Sequence, residues 1–320
     1  MGANRLGSKG NGAEKERSNL YLFAKGLDKF VNLLALILFI LLILYAAHSI
    51  WYTHSLQKDS FLSEELAQYK PDGRSPSLGE LMKINPDVRA WICIDDTNID
   101  YPVVQGKDDF EYLNKTVLGE FSLAGSIFLS SDNKKDFSNK YNLVHGHHVE
   151  GGAMLADVVE FRDASFFNEH QKGTLWYPSS GGRAKVDRIE IFAVLQTSGD
   201  DGVIYGPPSR IKEDSFNELI GDVLEKAIQK RSVKFEKNSR VIALSTCENA
   251  VDIDRVVLFG KLTPMTDKEI HQLNADTSRT NGQHGWIQDK IVWLLLPLIL
   301  LILILLAYLL HRIRKMKNEK

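Results

Sequence analysis

The sequence predicts a mainly β fold, a closed or nearly closed barrel with flanking helices and an apolar segment toward each end. Three observations carry this expectation. Between residues 77 and 263, eight short runs rich in β-branched and aromatic residues are separated by turn residues, a density of strands suited to a barrel. Two of these runs end in chemistry: Asn142-Leu143-Val144-His145-Gly146-His147-His148, and Val241-Ile242-Ala243-Leu244-Ser245-Thr246-Cys247. Residues 31–47 and 291–310 are almost wholly apolar, which sets them apart from the strands.

Taken in order, residues 1–29 form a basic tail whose first 18 residues, rich in Gly, Asn, Ser and charge, have the composition of a disordered segment. Residues 31–47, interrupted by Asn32 alone, reach the lower end of membrane-spanning length. They read as an uncleaved anchor over residues 30–50, with a signal peptide as the alternative, Ala47-His48-Ser49 being a weak cleavage site. Residues 51–76 are a polar helical stalk broken by Pro71 to Pro76, and Leu78 to Ile84 is a short helix stopped before Asn85-Pro86.

Strands are expected at 91–94, 101–104, 125–129, 142–145, 173–177, 184–197, 239–245 and 255–262, with Ser179 to Gly182 as a hairpin loop. Ala153 to Val159 is expected to be a short helix, and Glu213 to Lys230 an amphipathic cover with apolar residues at helical spacing. The barrel domain therefore spans 77–263. A polar linker (264–290) leads to residues 291–310, twenty consecutive apolar positions with one proline, long enough to span a bilayer. A basic tail closes the chain at 311–320.

Charge sets the expected topology. The first 29 residues hold six Lys/Arg and three acids, and the last ten hold five and one. Both ends therefore belong in the cytoplasm. The intervening region, near −9 overall, belongs outside a two-pass cell-membrane protein. Its acidity offers no basic footprint for nucleic acid.

Cys93 lies inside a strand, Trp91-Ile92-Cys93-Ile94-Asp95, and reads as a structural residue. A disulfide to it would consume the more useful Cys247. Cys247 ends its strand, and Arg255 begins the next. An antiparallel turn over 248–254 would set the guanidinium beside the thiol, to lower its pKa or to hold an oxyanion. His147 and His148 follow Gly146, and adjacent side chains on an extended segment point to opposite faces, so one of the pair faces Cys247. The His145-Gly146-His147-His148 cluster also has the look of a metal-site fragment, yet a zinc hydrolase needs further ligands at helpful spacing. No cofactor is expected, and no acidic cluster suggests calcium. A thiol, an imidazole and a guanidinium are equipment for acyl transfer through a thioester; a membrane-tethered scaffold barrel is the non-catalytic alternative.

These residues carry a resemblance. Gly146-His147-His148, Leu244-Ser245-Thr246-Cys247 and Arg255 resemble the signature of the sortases, membrane-anchored cysteine transpeptidases of Gram-positive cell surfaces. Ile84-Asn85-Pro86-Asp87-Val88, Trp91-Ile92, Asp100 to Gly106 and Ala124 to Leu129 extend the likeness to the class B members, over roughly residues 80–262. The resemblance implies an eight-stranded sortase barrel, with Cys247 as nucleophile, His147 as general acid and base, and Arg255 holding the oxyanion or the substrate. Ser245, Thr246 and His145 would line the substrate groove. It further implies partners: surface proteins or pilins bearing a C-terminal sorting signal, and an amine from a cell-wall peptide or a pilin lysine. His145 stands where class B members often carry tyrosine. Residues 55–80 lack the Asp-Pro-aromatic lid of many class C pilin polymerases, whereas a second span is more typical of pilus enzymes.

Overall fold

The computed structural model describes residues 8–60, 62–71, 77–149, 152–178, 184–247 and 254–280. Helix α1 (Ser8–Ser60) forms a body of its own, so residues 8–18, expected to be unstructured, are its first turns. Within it, Lys15–Thr53 is the one described helix long and apolar enough to cross a membrane. Its large apolar residues, from Leu20 to Tyr52, are exposed, as suits a helix whose apolar surface is meant for a non-aqueous neighbour. The second apolar segment (291–310), the Ser179 to Gly182 loop and the 248–253 turn lie outside the described residues.

In the second body, α2 (Glu64–Ala67) is capped by the Ser63 hydroxyl and α3 (Ser77–Ile84) follows. The barrel comprises β1 (Val88–Ile94), β2 (Asp100–Val104), β3 (Ile127–Leu129) and β4 (Tyr141–His145). A two-stranded hairpin, β5 (His148–Val149) with β6 (Ala153–Met154), and α4 (Ala164–Glu169) separate these from β7 (Lys172–Tyr177) and β8 (Lys185–Ser198). Helix α5 (Glu213–Lys226), a two-residue β9 (Gln229–Lys230), β10 (Arg240–Cys247), β11 (Asp254–Pro264) and α6 (Asp267–Thr280) complete the order. The sheet runs β11-β10-β4-β3-β2-β1-β7-β8, and β8 pairs back onto β11, closing eight strands into a barrel; β9 adds to the side of β8. Each of the eight expected strands is present.

Two pairings, β2 with β3 and β4 with β10, are parallel; the other contacts around the barrel are antiparallel. The β4–β10 contact joins residues 141–145 to 241–245, bringing the two chemistry-bearing strands side by side. Alternation then sorts the side chains. Tyr141, Leu143, Val241, Ala243, Val257 and Phe259 share one face and pack under Phe216, Leu219, Ile220 and Val223 of α5. Each of those four helix residues is buried, a gain of about 1.5–3 kcal/mol apiece. Asn142, Val144, Ile242, Leu244, Val256 and Leu258 occupy the opposite, equally buried face.

Three further expectations need correction. Ala153 to Val159 is not an α-helix: Ala153 and Met154 form β6, Met154 with a left-handed φ of 59°, and only Ala156–Val158 form a 3₁₀ turn. Helix α5 ends at Lys226, because Ala227 is extended and the Ile228 amide bonds to the Val194 carbonyl, which diverts the chain into β9. The stretch expected as a plain polar linker contains α6, whose first turn is fixed by Thr266 and Glu269 side-chain bonds.

Candidate active site

The site is built at the shared end of β4, β10 and β11. Cys247 is the direct antiparallel partner of Arg255, at the last paired position of the β10–β11 ladder. Ser245 is the parallel partner of His145. One step further, the Gly146 amide donates to the Ser245 carbonyl at 3.1 Å, tying the His147 segment to the strand that ends in Cys247. Glycine is required there by close approach: a Cβ at 146 would lie 2.7 Å from Leu155 Cγ and 3.2 Å from Ile127 Cγ1.

His147 leaves the ladder and is held from two sides. Its carbonyl accepts from the Leu155 amide at 3.2 Å, and its Nε2 lies 3.0 Å from the carbonyl of Leu113, in the β2–β3 connection. His148 belongs instead to the β5–β6 hairpin, opposite Met154, and its Nδ1 is sealed from solvent without a hydrogen-bond partner.

His145 is the most perturbed group at this end. Its ring stacks on Phe128 (centroids 5.2 Å apart) and on Tyr205 (6.3 Å), and its Nε2 is sealed and unpartnered. Burial pushes its pKa down to about 4; the Asp109 carboxylate opposes that shift and the Arg255 cation adds to it. His145 is therefore neutral at physiological pH, its ring set between Phe128 and Tyr205. The Tyr205 hydroxyl and the Ser245 Oγ share a 2.8 Å hydrogen bond. Burial pushes the Tyr205 phenol up to about 12 despite this bond and the nearby Arg255, so it stays protonated. Beside His145 and Tyr205 opens a hollow of about 270 Å³, bounded also by Asp109, Ser130, Asp132 and Pro207.

The structure thus gathers His145, Gly146, His147, Ser245, Cys247 and Arg255 at one end of three adjacent strands. Thr246, expected beside them in the groove, alternates to the opposite face and is 1% exposed. Cys93 is a free thiol on β1, with β2, β3 and β4 intervening before β10. Burial, with the Asp100 charge next, pushes its pKa up to about 12, so it is no nucleophile at neutral pH. Among the described residues, no group of three or more His, Cys, Asp or Glu is placed to hold a metal ion.

Sequence reasoning missed Leu113, Phe128, Tyr205 and Asp109. Leu113 acts through its backbone carbonyl, which no side-chain pattern reveals. Tyr205 sits in a Gly- and Pro-rich connection, the setting in which loop residues carry function, and that was the available signal.

No protein-family model matches the chain. It is 35% identical over 188 residues to Sortase B of Listeria monocytogenes, covering 58% of this chain and 73% of that protein. Among solved structures, it is similar to a class B sortase of Streptococcus pyogenes described as involved in pilus biogenesis, with 37% identity and a TM-score of 0.52, covering 58% of this chain and 97% of that one. Sortase B of Clostridium perfringens matches with 31% identity and a TM-score of 0.52, over 58% and 98% of the two chains.

Proposed function

The chain belongs to the class B sortases and is a cysteine transpeptidase; from that premise we propose that it cleaves a C-terminal sorting signal through a thioester on Cys247 and passes the acyl group to an amine. The observation that carries the proposal is the ladder register: position 247 pairs with 255, position 245 pairs with 145, and the Gly146 amide fastens His147 to the same strand.

The chemistry divides among these residues by their properties. Cys247 supplies the thiolate, which attacks the backbone carbonyl of the sorting signal. Arg255, on the directly opposed position, lowers the cost of that thiolate and then donates to the tetrahedral oxyanion; its planar fork serves both tasks. His147 gives a proton to the departing amine, a poor leaving group when unprotonated, and takes one from the incoming amine that resolves the thioester. His145 and Ser245 form the groove wall with Tyr205, and Thr246 braces it from behind.

The substrates we propose are surface proteins or pilins, with a cell-wall peptide amine or a pilin lysine as acceptor. A pilus role is favoured by the second apolar segment at 291–310 and by the pilus function of the Streptococcus pyogenes relative. The proposed arrangement is two-pass, with segments 30–50 and 291–310 in the membrane, both basic tails in the cytoplasm, and the catalytic domain (77–263) outside.

Cleavage of a panel of sorting-signal peptides tests the reading. Cys247→Ala and His147→Ala should abolish cleavage, His148→Ala should retain it, and a chelator should have no effect. An active Cys247→Ala variant that loses activity to the chelator would sink the cysteine mechanism; an inactive His148→Ala beside an active His147→Ala would transfer the acid and base role.

A further inference from the structure

We infer that the Leu113 carbonyl fixes His147 as the Nε2–H tautomer, so that Nδ1 is the nitrogen that exchanges protons during transfer. The argument begins with a chemical asymmetry. A backbone carbonyl accepts hydrogen bonds and has no proton to give, so the 3.0 Å contact between His147 Nε2 and the Leu113 oxygen requires the hydrogen to sit on Nε2. In a neutral imidazole the other nitrogen then carries the lone pair. This inference rests on the reading of His147 as the acid and base, and assigns the atom that does the work.

The carbonyl is itself held in place. Leu113 follows Tyr112, whose ring is buried and whose hydroxyl donates to Asp87 at 3.0 Å and accepts from Asn85 at 2.9 Å. The connection is drawn shut by the Ser126 amide donating to the Tyr112 carbonyl at 3.0 Å and by the Ser126 hydroxyl donating to the Lys115 carbonyl at 2.7 Å. Against the Leu113 peptide lies Gly125, in a left-handed conformation (φ 61°), where a Cβ would come within 2.4 Å of the Leu113 oxygen. A side chain at 125 must therefore displace the carbonyl that holds the imidazole. A base oriented by a third group is the general logic of nucleophile and base pairs; here the third group is a peptide carbonyl, which stays neutral throughout.

The proton balance is complete with this assignment. The Cys247 thiolate bonds to the substrate carbonyl carbon, the carbon–nitrogen bond breaks, and the leaving nitrogen takes the proton from Nδ1 of the imidazolium. The incoming neutral amine then bonds to the thioester carbon, its surplus proton passes to Nδ1, and the carbon–sulfur bond breaks to return the thiolate. Nε2–H remains on Leu113 in both half-reactions.

The test combines ¹⁵N NMR of histidine-labelled full-length protein, at a pH where the ring is neutral, with steady-state peptide cleavage. Wild type should show His147 protonated on Nε2. Gly125→Ala should lose that preference and drop kcat by about 10- to 100-fold with little change in KM, the scale of a misplaced catalytic group. Gly119→Ala is the matched control: its φ is also left-handed (90°), but a Cβ there meets only Lys115 Cε at 3.8 Å, so tautomer and kcat should survive. A wild-type ring protonated on Nδ1 overturns the inference, and that spectrum is decisive even if Gly125→Ala does not fold. Gly125→Ala with wild-type tautomer and kcat overturns it equally. Full activity of His147→Ala would instead refute the role of His147, a separate outcome read without the spectrum.

Discussion

His145→Phe tests the electrostatics of the groove wall in the absence of catalysis. Phenylalanine retains a flat ring between Phe128 and Tyr205 and removes the nitrogen that is sealed without a partner. In the folded protein the His145 pKa is down to about 4 from 6.5, chiefly through burial. A histidine depressed in this way makes its full contribution above its unfolded pKa and loses it as pH falls through the folded one, because the unfolded chain binds a proton that the native site refuses. The gap from 6.5 to about 4 corresponds to about 3 kcal/mol lost between pH 7 and pH 4. Other groups titrate in the same window, so the difference between wild type and variant isolates His145. Denaturant unfolding of the full chain, followed by tryptophan fluorescence at pH 7, 5.5 and 4, measures it. The expected result is a wild-type stability that falls about 3 kcal/mol further than that of His145→Phe. Parallel curves for the two proteins would show that His145 titrates normally in the native state, refuting the burial argument.

Two further outcomes follow from the strand end. Arg255→Lys keeps the charge and loses the fork, so turnover should fall by about 100-fold, the scale of one lost oxyanion donor, while the Cys247 thiol remains open to alkylation; wild-type turnover would return Arg255 to a structural role. Gly146→Ala drives a methyl to 2.7 Å from Leu155 Cγ and should cost about 1–3 kcal/mol of stability together with activity. Adding Leu155→Ala should restore much of the activity by making room, and a double variant no better than the single one would place the fault elsewhere.

The strands were legible because each is a run of β-branched and aromatic residues bounded by Gly, Pro, Asn or Asp, and because β10 and β11 are long enough to show it clearly. What failed was local pattern overridden by tertiary context. Ala153 to Val159 has apolar residues at helical spacing, yet those positions are buried on several sides, which periodicity alone does not distinguish from one apolar face. Helix α4 escaped notice although its start is encoded: the Asp163 carboxylate caps the Ser165 and Phe166 amides. At the site, the side chains that announce chemistry were readable, and the groups that orient them were not. Leu113 contributes a carbonyl and Phe128 a ring face, from positions 34 and 17 residues away from the histidines they touch.

This division has a structural cause. Cys247 and Arg255 are paired with each other, β10 is flanked by β4 and β11, and β11 by β10 and β8. Arg255 is paired on both sides, with Cys247 and with Thr197, and Cys247, two positions past the last β4 pair at Ser245, is set by its place opposite Arg255 at the end of an eight-pair ladder. His147 lies one step beyond its ladder, where the sheet no longer dictates position. Its placement depends instead on individual contacts: the Gly146 amide on Ser245, the Leu155 amide on its own carbonyl, and Leu113 on its ring. Catalysis tolerates little misplacement of a reacting group. Substitutions in the β2–β3 connection or around Leu155 should therefore act on proton transfer, and leave the reactivity of the Cys247 thiol toward alkylating reagents largely intact.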